Sequence, residues 1–314
     1  MLRNCATVSL VETIVLVVPL FILIALGYAL KKTRFISEGF IAELNRLVYY
    51  IALPAMLFGN TASLTALPQA FVTAAAVYSI AVVLVTIIAI LVTLGRAAGL
   101  RGSFIQASFR GNLAYLGLPI VSSALGDQVV GTIAVIIAAG VVLHTALSVV
   151  TLRFLDPTAD RTDVPSHLLH IVTNPLIISI AAGLLVAGIG VELPGFLTRT
   201  IDLVASMSLP VILIIIGFSL SFRSVGRSII PASAATFLKL VLMPTIALAL
   251  TVWLFGASGD LRNTIVLMSA MPTAVVSQAF ARQFNADTEV TAATVSLDTI
   301  LALVTLPIWI AVLT

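Results

Sequence analysis

Apolar runs of membrane length follow one another along almost the whole chain, each closed by charged or turn residues. A helix that crosses a bilayer needs about 20 mostly apolar residues. Taking charges and turn residues as boundaries predicts ten such spans, at 11–30, 41–59, 68–95, 104–125, 129–152, 167–190, 201–222, 229–256, 262–282 and 289–313. The runs are long and continuous, whereas a transmembrane β-barrel alternates apolar and polar residues over short segments. The pattern therefore predicts an all-α membrane protein.

Two of the ten runs are interrupted. Gly111-Asn112-Leu113-Ala114-Tyr115-Leu116-Gly117-Leu118-Pro119 breaks the fourth, and Ser269-Ala270-Met271-Pro272-Thr273 breaks the ninth. A helix broken in mid-bilayer frees backbone groups that lipid cannot satisfy, so the break must be buried in protein or line a watery site. Breaks at matching places in two halves of a chain are the best sequence pointer to a transporter's binding site.

The halves do match. Pro19 to Gly27 corresponds to Pro175 to Gly183 at an offset of 156, and the same offset carries Leu53-Pro54 onto Leu209-Pro210. Near Asp127 and Asp287 the offset is 160, which sets Asn112 opposite Pro272. Five spans per half is an odd number, so the halves must have opposite orientations: an inverted repeat of 11–152 and 167–314 joined by a cytoplasmic linker at 153–166. The first apolar run is read as a retained helix.

Composition agrees. Of 314 residues, 60% are hydrophobic and 9% charged, against about 25% charged in soluble domains. With one cysteine, Cys5, no internal disulfide can form. The net charge of +3 matters less than its placement. Ten spans put twelve Lys and Arg residues, Arg110 among them, on one side, three on the other, and Lys239 inside a span. Basic loops stay cytoplasmic, so both termini are expected outside.

Leu44-Asn45-Arg46-Leu47-Val48-Tyr49-Tyr50-Ile51-Ala52-Leu53-Pro54-Ala55-Met56-Leu57-Phe58 resembles the second span of the auxin efflux carrier family. Gly111-Asn112 with Leu116 to Pro119 is similar to its fourth, Met271-Pro272 with Ala281-Arg282-Gln283 to its ninth, and Leu303 to Pro307 to its end. The resemblance covers nearly the whole chain. It implies the fold of sodium/proton antiporters and bile-acid symporters, with two broken helices crossing at mid-membrane. Spans 1, 2, 6 and 7 would form a scaffold and homodimer surface. Spans 3–5 and 8–10 would form a transport domain moving as an elevator. The implied activity is export or import of an organic anion, a small carboxylate or auxin-like acid. The short stretch from Arg153 to Pro165 favours a bacterial member in the inner membrane, because plant exporters carry a long loop there.

The break residues suggest chemistry. Proline at the first turn of a helix loses no useful hydrogen bond, so Pro119 and Pro272 are expected to open the second half of each broken span. Two half-helix N-termini would then face each other, each with free N–H groups and a partial positive charge, and could hold a carboxylate without a fixed cation. Asn112, Tyr115, Gly117, Thr273, Ser277 and Gln278 complete the expected substrate site. Three ionisable residues lie within spans, where such groups are functional candidates by default. They are Asp298 and Lys239, both near mid-membrane and able to pair, and His144 in the inner half. They are the candidates for ion or proton coupling, with a structural or snorkelling role as the alternative. Proton-coupled, sodium-coupled and uncoupled transport all fit the sequence.

Rival classes have weaker support. There is no His-Glu-x-x-His, Gly-x-Ser-x-Gly or P-loop motif, so neither an enzyme nor a nucleotide-driven pump is expected. No cofactor and no nucleic-acid partner is expected. A channel would need a ring of polar or charged side chains along its pore. A sodium-coupled bile-acid-type symporter is the nearer alternative.

Overall fold

The computed structural model describes residues 10–64, 70–155 and 173–313, with backbone alone at 10–17 and 153–155. Every regular element among them is helical. In chain order these are α1 (Leu10–Lys32), α2 (Glu38–Ala62), α3 (Ala70–Val92), α4 (Ala98–Phe109), α5 (Leu113–Leu125), α6 (Val130–Leu155), α7 (Pro175–Ile189), α8 (Gly195–Ser219), α9 (Ile229–Leu254), α10 (Gly259–Ser269), α11 (Val276–Gln283) and α12 (Thr288–Leu313). A one-turn helix at Phe222–Arg227 links α8 to α9. Six elements are long and apolar enough to cross a membrane: α2, α3, α6 with its entry turn, α8, α9 and α12. Their lipid-side positions carry bare apolar side chains such as Val72, Ile230 and Trp253.

The sixth predicted span is shorter than its apolar run. Asn174 accepts the Leu176 N–H through its side chain, and Pro175 takes the first helical position, so α7 starts there. Residues 167–172, the linker at 156–166, residues 68 and 69, and Cys5 lie outside the described residues.

Three of the prolines are accommodated in one recurring way. A proline removes a helical N–H, and its ring clashes with the carbonyl four residues earlier. Pro54, Pro119 and Pro244 each follow a π-helical turn, at Val48–Ala52, Leu113–Gly117 and Leu238–Leu242. The wider turn contains the carbonyl that would clash and absorbs the missing donor. Pro210 instead follows a non-helical residue, Met207, that divides α8.

Much of the helix packing falls into two groups, with α1 also lying against α12. α1 lies along α8, and α2 along α7 and α8. The second group is α3, α4, α6, α9, α10 and α12, with α3 on α4 and α6 and α12 on α9 and α4. Bare glycines set the closest approaches in the first group, since small residues let membrane helices meet backbone to backbone. A side chain on Gly27 would overlap the Ile214 carbonyl, and one on Gly217 the Ile24 carbonyl. Likewise one on Gly183 would overlap Thr61 on α2. Gly27 and Gly183 are repeat partners in the sequence, and each meets a helix of the opposite half.

Candidate functional site

The two predicted breaks meet. α4 stops at Phe109, and Arg110, Gly111 and Asn112 are non-helical before α5. α10 stops at Ser269, and the chain stays non-helical to Val275 before α11. The Asn112 N–H donates to Pro272 O at 2.8 Å, and the Ala274 N–H to Arg110 O at 2.9 Å, with Gly111 opposite Thr273 in an antiparallel bridge. These are the reciprocal bonds of an antiparallel strand pair. Each break thus supplies partners for the other's backbone.

The two prolines differ. α5 begins with a π turn at Leu113, with the Leu116 and Gly117 N–H groups on Asn112 O, and Pro119 stands in the first turn of the α-helical stretch Leu118–Leu125 that follows, as expected of a helix-opening proline. Pro272 opens no helix, contrary to expectation: it lies in the non-helical stretch, and its carbonyl is what the crossing uses.

Around the bridge, Thr273 is fully engaged. Its hydroxyl lies 2.7 Å from Ala107 O and 2.5 Å from Asp298 Oδ2, and its N–H donates to the same Oδ2 at 3.2 Å. Asp298 Oδ1 makes no hydrogen bond, nor does the Thr236 hydroxyl, the neighbour on α9 that interacts with this carboxylate electrostatically. Lys239 is wholly buried in the π turn of α9. Its ammonium donates to Ser269 O at 2.7 Å and lies 3.3 Å from Met243 Sδ. A side chain on Gly111 would come within 3.3 Å of that ammonium. So a fixed cation does stand at the crossing, at the C-terminal end of α10, against the expectation of a site made of dipoles alone. It does not snorkel, and it makes no direct ion pair with Asp298, although the two charges interact through space.

The Asn112 side chain is buried, stands at the N-cap position of α5, and makes no capping hydrogen bond. Tyr115 donates its hydroxyl to Asn45 Oδ1 on α2 at 3.1 Å. Beside it, the Tyr49 hydroxyl accepts from Asn174 Nδ2 at 3.0 Å. Ser277 is buried with an unpartnered hydroxyl on the first turn of α11. Gln278, with its amide nitrogen unpartnered, lines a polar cavity of about 430 Å³ between the ends of α1, α8, α11 and α12. Lys31, Ser221, Arg282 and Glu289 share that cavity. Gly117 packs against Met268 and Met271, where a side chain would crowd the second broken span. His144 shares a 3.0 Å hydrogen bond with the Tyr78 hydroxyl and packs on Phe109. No group of three or more His, Cys, Asp or Glu side chains that could hold a metal forms among the described residues.

One charge was misplaced by sequence counting. Arg110 was counted with the cytoplasmic charges although it lies within the predicted span 104–125, and its side chain is buried at the crossing, with Nη1 2.8 Å from Ser148 Oγ and the guanidinium 4.1 Å from the centre of the Phe280 ring. The signal was available, since Arg110 directly precedes Gly111-Asn112 and a mid-bilayer break must carry its neighbour to the same depth. Asn45 and Tyr49 gave no such signal, because their relevance comes from packing between distant segments.

Apolar helices long enough to span a bilayer, with two broken helices joined at a polar crossing, define a membrane transport protein. The family model described as "Membrane transport protein" matches residues 13–310, and the chain belongs to that family, the auxin efflux carrier family. A protein of Rhizobium meliloti (strain 1021) named "Putative malonate transporter" is 29% identical over 92% of this chain and 92% of its own length. "Uncharacterized transporter YfdV" of Escherichia coli (strain K12) is 24% identical over 94% of this chain and 95% of its own. An "Uncharacterized transporter" of Methanothermobacter thermautotrophicus is 24% identical over 95% and 97%.

Proposed function

We propose that this membrane transporter is a secondary carrier for a small organic carboxylate, binding it at the crossing of the two broken helices. The observation that carries the reading is the buried Asn112 amide. It sits at a helix N-terminus inside a bridge whose backbone groups are already paired, and no protein group uses it. An amide with no protein partner is free to donate to a ligand, and a helix N-terminus favours an anion. The relative named for malonate makes a dicarboxylate the first substrate to try.

The same reading takes the chain as ten spans in two inverted repeats. Its support is the reciprocal pairing of the breaks and the repeat-matched glycines, Gly27 and Gly183, each packed on the other half. The packing groups correspond to a scaffold of α1, α2, α7 and α8 and a transport domain of the rest, whose sliding gives alternating access. The first half of α8 buries none of its side chains within the chain, which suits a homodimer through the scaffold. The Lys239 ammonium, already at a helix C-terminus beside the crossing, suits a carrier that needs no sodium there. The excess of basic residues on one side suits outside termini in a bacterial inner membrane. A membrane-impermeant thiol reagent should label Cys5 in intact cells, and labelling that requires permeabilisation would reverse that orientation.

Counterflow of radiolabelled malonate in proteoliposomes is the test of function. Saturable exchange, unchanged without sodium and lost in Asn112→Ala, is expected. Exchange that survives in that variant removes the crossing as the site. Flux that neither saturates nor shows trans-stimulation points to a channel, and sodium-dependent exchange to a bile-acid-type symporter.

A further inference from the structure

We propose that Arg110 is the residue that binds the substrate's carboxylate, gripping it with the free edge of its guanidinium while Asn112 donates to the same group. The proposal rests on the carboxylate reading above and adds the fixed charge that selects the anion.

The argument begins with what Arg110 lacks. It is 7% exposed, and among the described residues no acidic side chain lies within 4 Å of it. A guanidinium offers five N–H donors in one plane. A single one has a protein acceptor, the Ser148 hydroxyl at 2.8 Å, and one face of the group lies on the Phe280 ring. Ser148 is itself fixed, since Gln106 Nε2 also lies 3.3 Å from its Oγ. The side chain is therefore held in place by two neutral partners, and its charge is left without a counter-ion. Burying a charge in this way is unfavourable unless an anion completes it.

The charged and titratable groups that face it do not fill that role. His144 interacts with it but brings no negative charge, Lys239 is a second cation held by Ser269 O, and the Tyr49 hydroxyl already accepts from Asn174. Asp298 is taken up by Thr273 on the other broken span. Among the described residues, then, no side chain supplies the missing anion.

Placement gives the anion's position. Arg110 and Asn112 flank the bridged Gly111, so both side chains start from the crossing itself. Gly111 turns its bare Cα toward the Lys239 ammonium. The two free donors of the crossing, one charged and one an amide, thus stand two residues apart on the segment that breaks the span. A planar two-oxygen anion matches a guanidinium fork. Lysine would supply the charge without the fork.

The test uses purified protein in lipid nanodiscs, with thermal unfolding followed with and without acetate, malonate and succinate. Wild type should be stabilised by at least one of the three. Arg110→Met should bind that acid about tenfold more weakly or worse, and Arg110→Lys should fall between. Without ligand, Arg110→Met should melt no lower than wild type, because the substitution removes an uncompensated buried charge. A purely structural arginine would give the opposite result, a lower melting temperature without ligand, and that overturns the proposal. Wild-type affinity in Arg110→Met together with lost affinity in Asn112→Ala overturns the role of Arg110 and leaves the crossing site standing. Wild-type affinity in both variants overturns the site, and no stabilisation of wild type by any of the three acids overturns the carboxylate reading and this proposal with it.

Discussion

Thr273 and Asp298 meet through two contacts on one oxygen: the threonine hydroxyl at 2.5 Å and its backbone N–H at 3.2 Å from Asp298 Oδ2. The same hydroxyl lies 2.7 Å from Ala107 O at the end of α4. One residue therefore ties both broken spans to α12. A hydroxyl has one proton but can also accept, so this corner depends on an oxygen at position 273 and not on its methyl group. Thr273→Ser should keep the wild-type melting temperature to within a degree or two. Thr273→Val should cost about 1–3 kcal/mol, the usual penalty for stranding a buried polar partner. Equal stability of the two variants in detergent would show that the corner does not hold the crossing.

Lys239 and Asp298 flank the crossing without touching, so their coupling is tested by a cycle and not by a distance. Lys239→Met alone leaves Asp298 as a buried charge with only Thr273 to offset it. Removing one member of a buried charge pair costs about 3–5 kcal/mol. The double variant Lys239→Met/Asp298→Leu should recover part of that loss, with an interaction energy of about 0.5–3 kcal/mol. Additive losses, measured by chemical unfolding of the four proteins, would mean that each charge is balanced locally.

What the sequence could and could not reveal follows from the kind of signal each feature leaves. The apolar runs, the two breaks and the deep positions of Lys239 and Asp298 follow from counting along the chain, because bilayer thickness converts residue number into depth. The role of Pro272 was misread because its strand-like pairing depends on hydrogen bonds that proline's local preferences do not report, whereas Pro119 does stand in the first turn of an α-helical stretch. Arg110 was misplaced because the charge count put it on the cytoplasmic side despite its position inside the span 104–125, next to the break that carries it to mid-membrane depth. The Tyr115 to Asn45 contact joins residues 70 positions apart, and no local pattern encodes it.

The glycines that bring α1 and α8 together give a prediction about the scaffold. Gly27 faces the Ile214 carbonyl and Gly217 the Ile24 carbonyl, so the two helices approach at two reciprocal points. Backbone cannot rotate away as a side chain can. Gly27→Ala and Gly217→Ala should each force the helices apart, at about 1–3 kcal/mol per added methyl. Gly188→Ala, where the space is open, serves as the control and should be neutral. If all three melt alike, the close approach does not matter to stability.

The hydrogen bond from Tyr115 to Asn45 bridges the first broken span and α2, which belong to different packing groups. Under the elevator reading those groups must slide past one another in each cycle, so this bond has to break and re-form. Removing it should change the balance of states without destroying the site. Tyr115→Phe is therefore expected to keep carboxylate binding, to cost about 0.5–1.5 kcal/mol in stability, and to alter the exchange rate. A covalent bridge should do the opposite. Because Cys5 is the protein's single cysteine, a Cys5→Ser background allows Asn45→Cys and Tyr115→Cys to be introduced together and joined with a short bismaleimide. Cross-linked protein should lose malonate exchange in proteoliposomes, while each single-cysteine variant treated with the same reagent keeps more of it. Full exchange by the cross-linked protein would mean that α2 and α5 move as one body, and the boundary between scaffold and transport domain would then have to lie elsewhere.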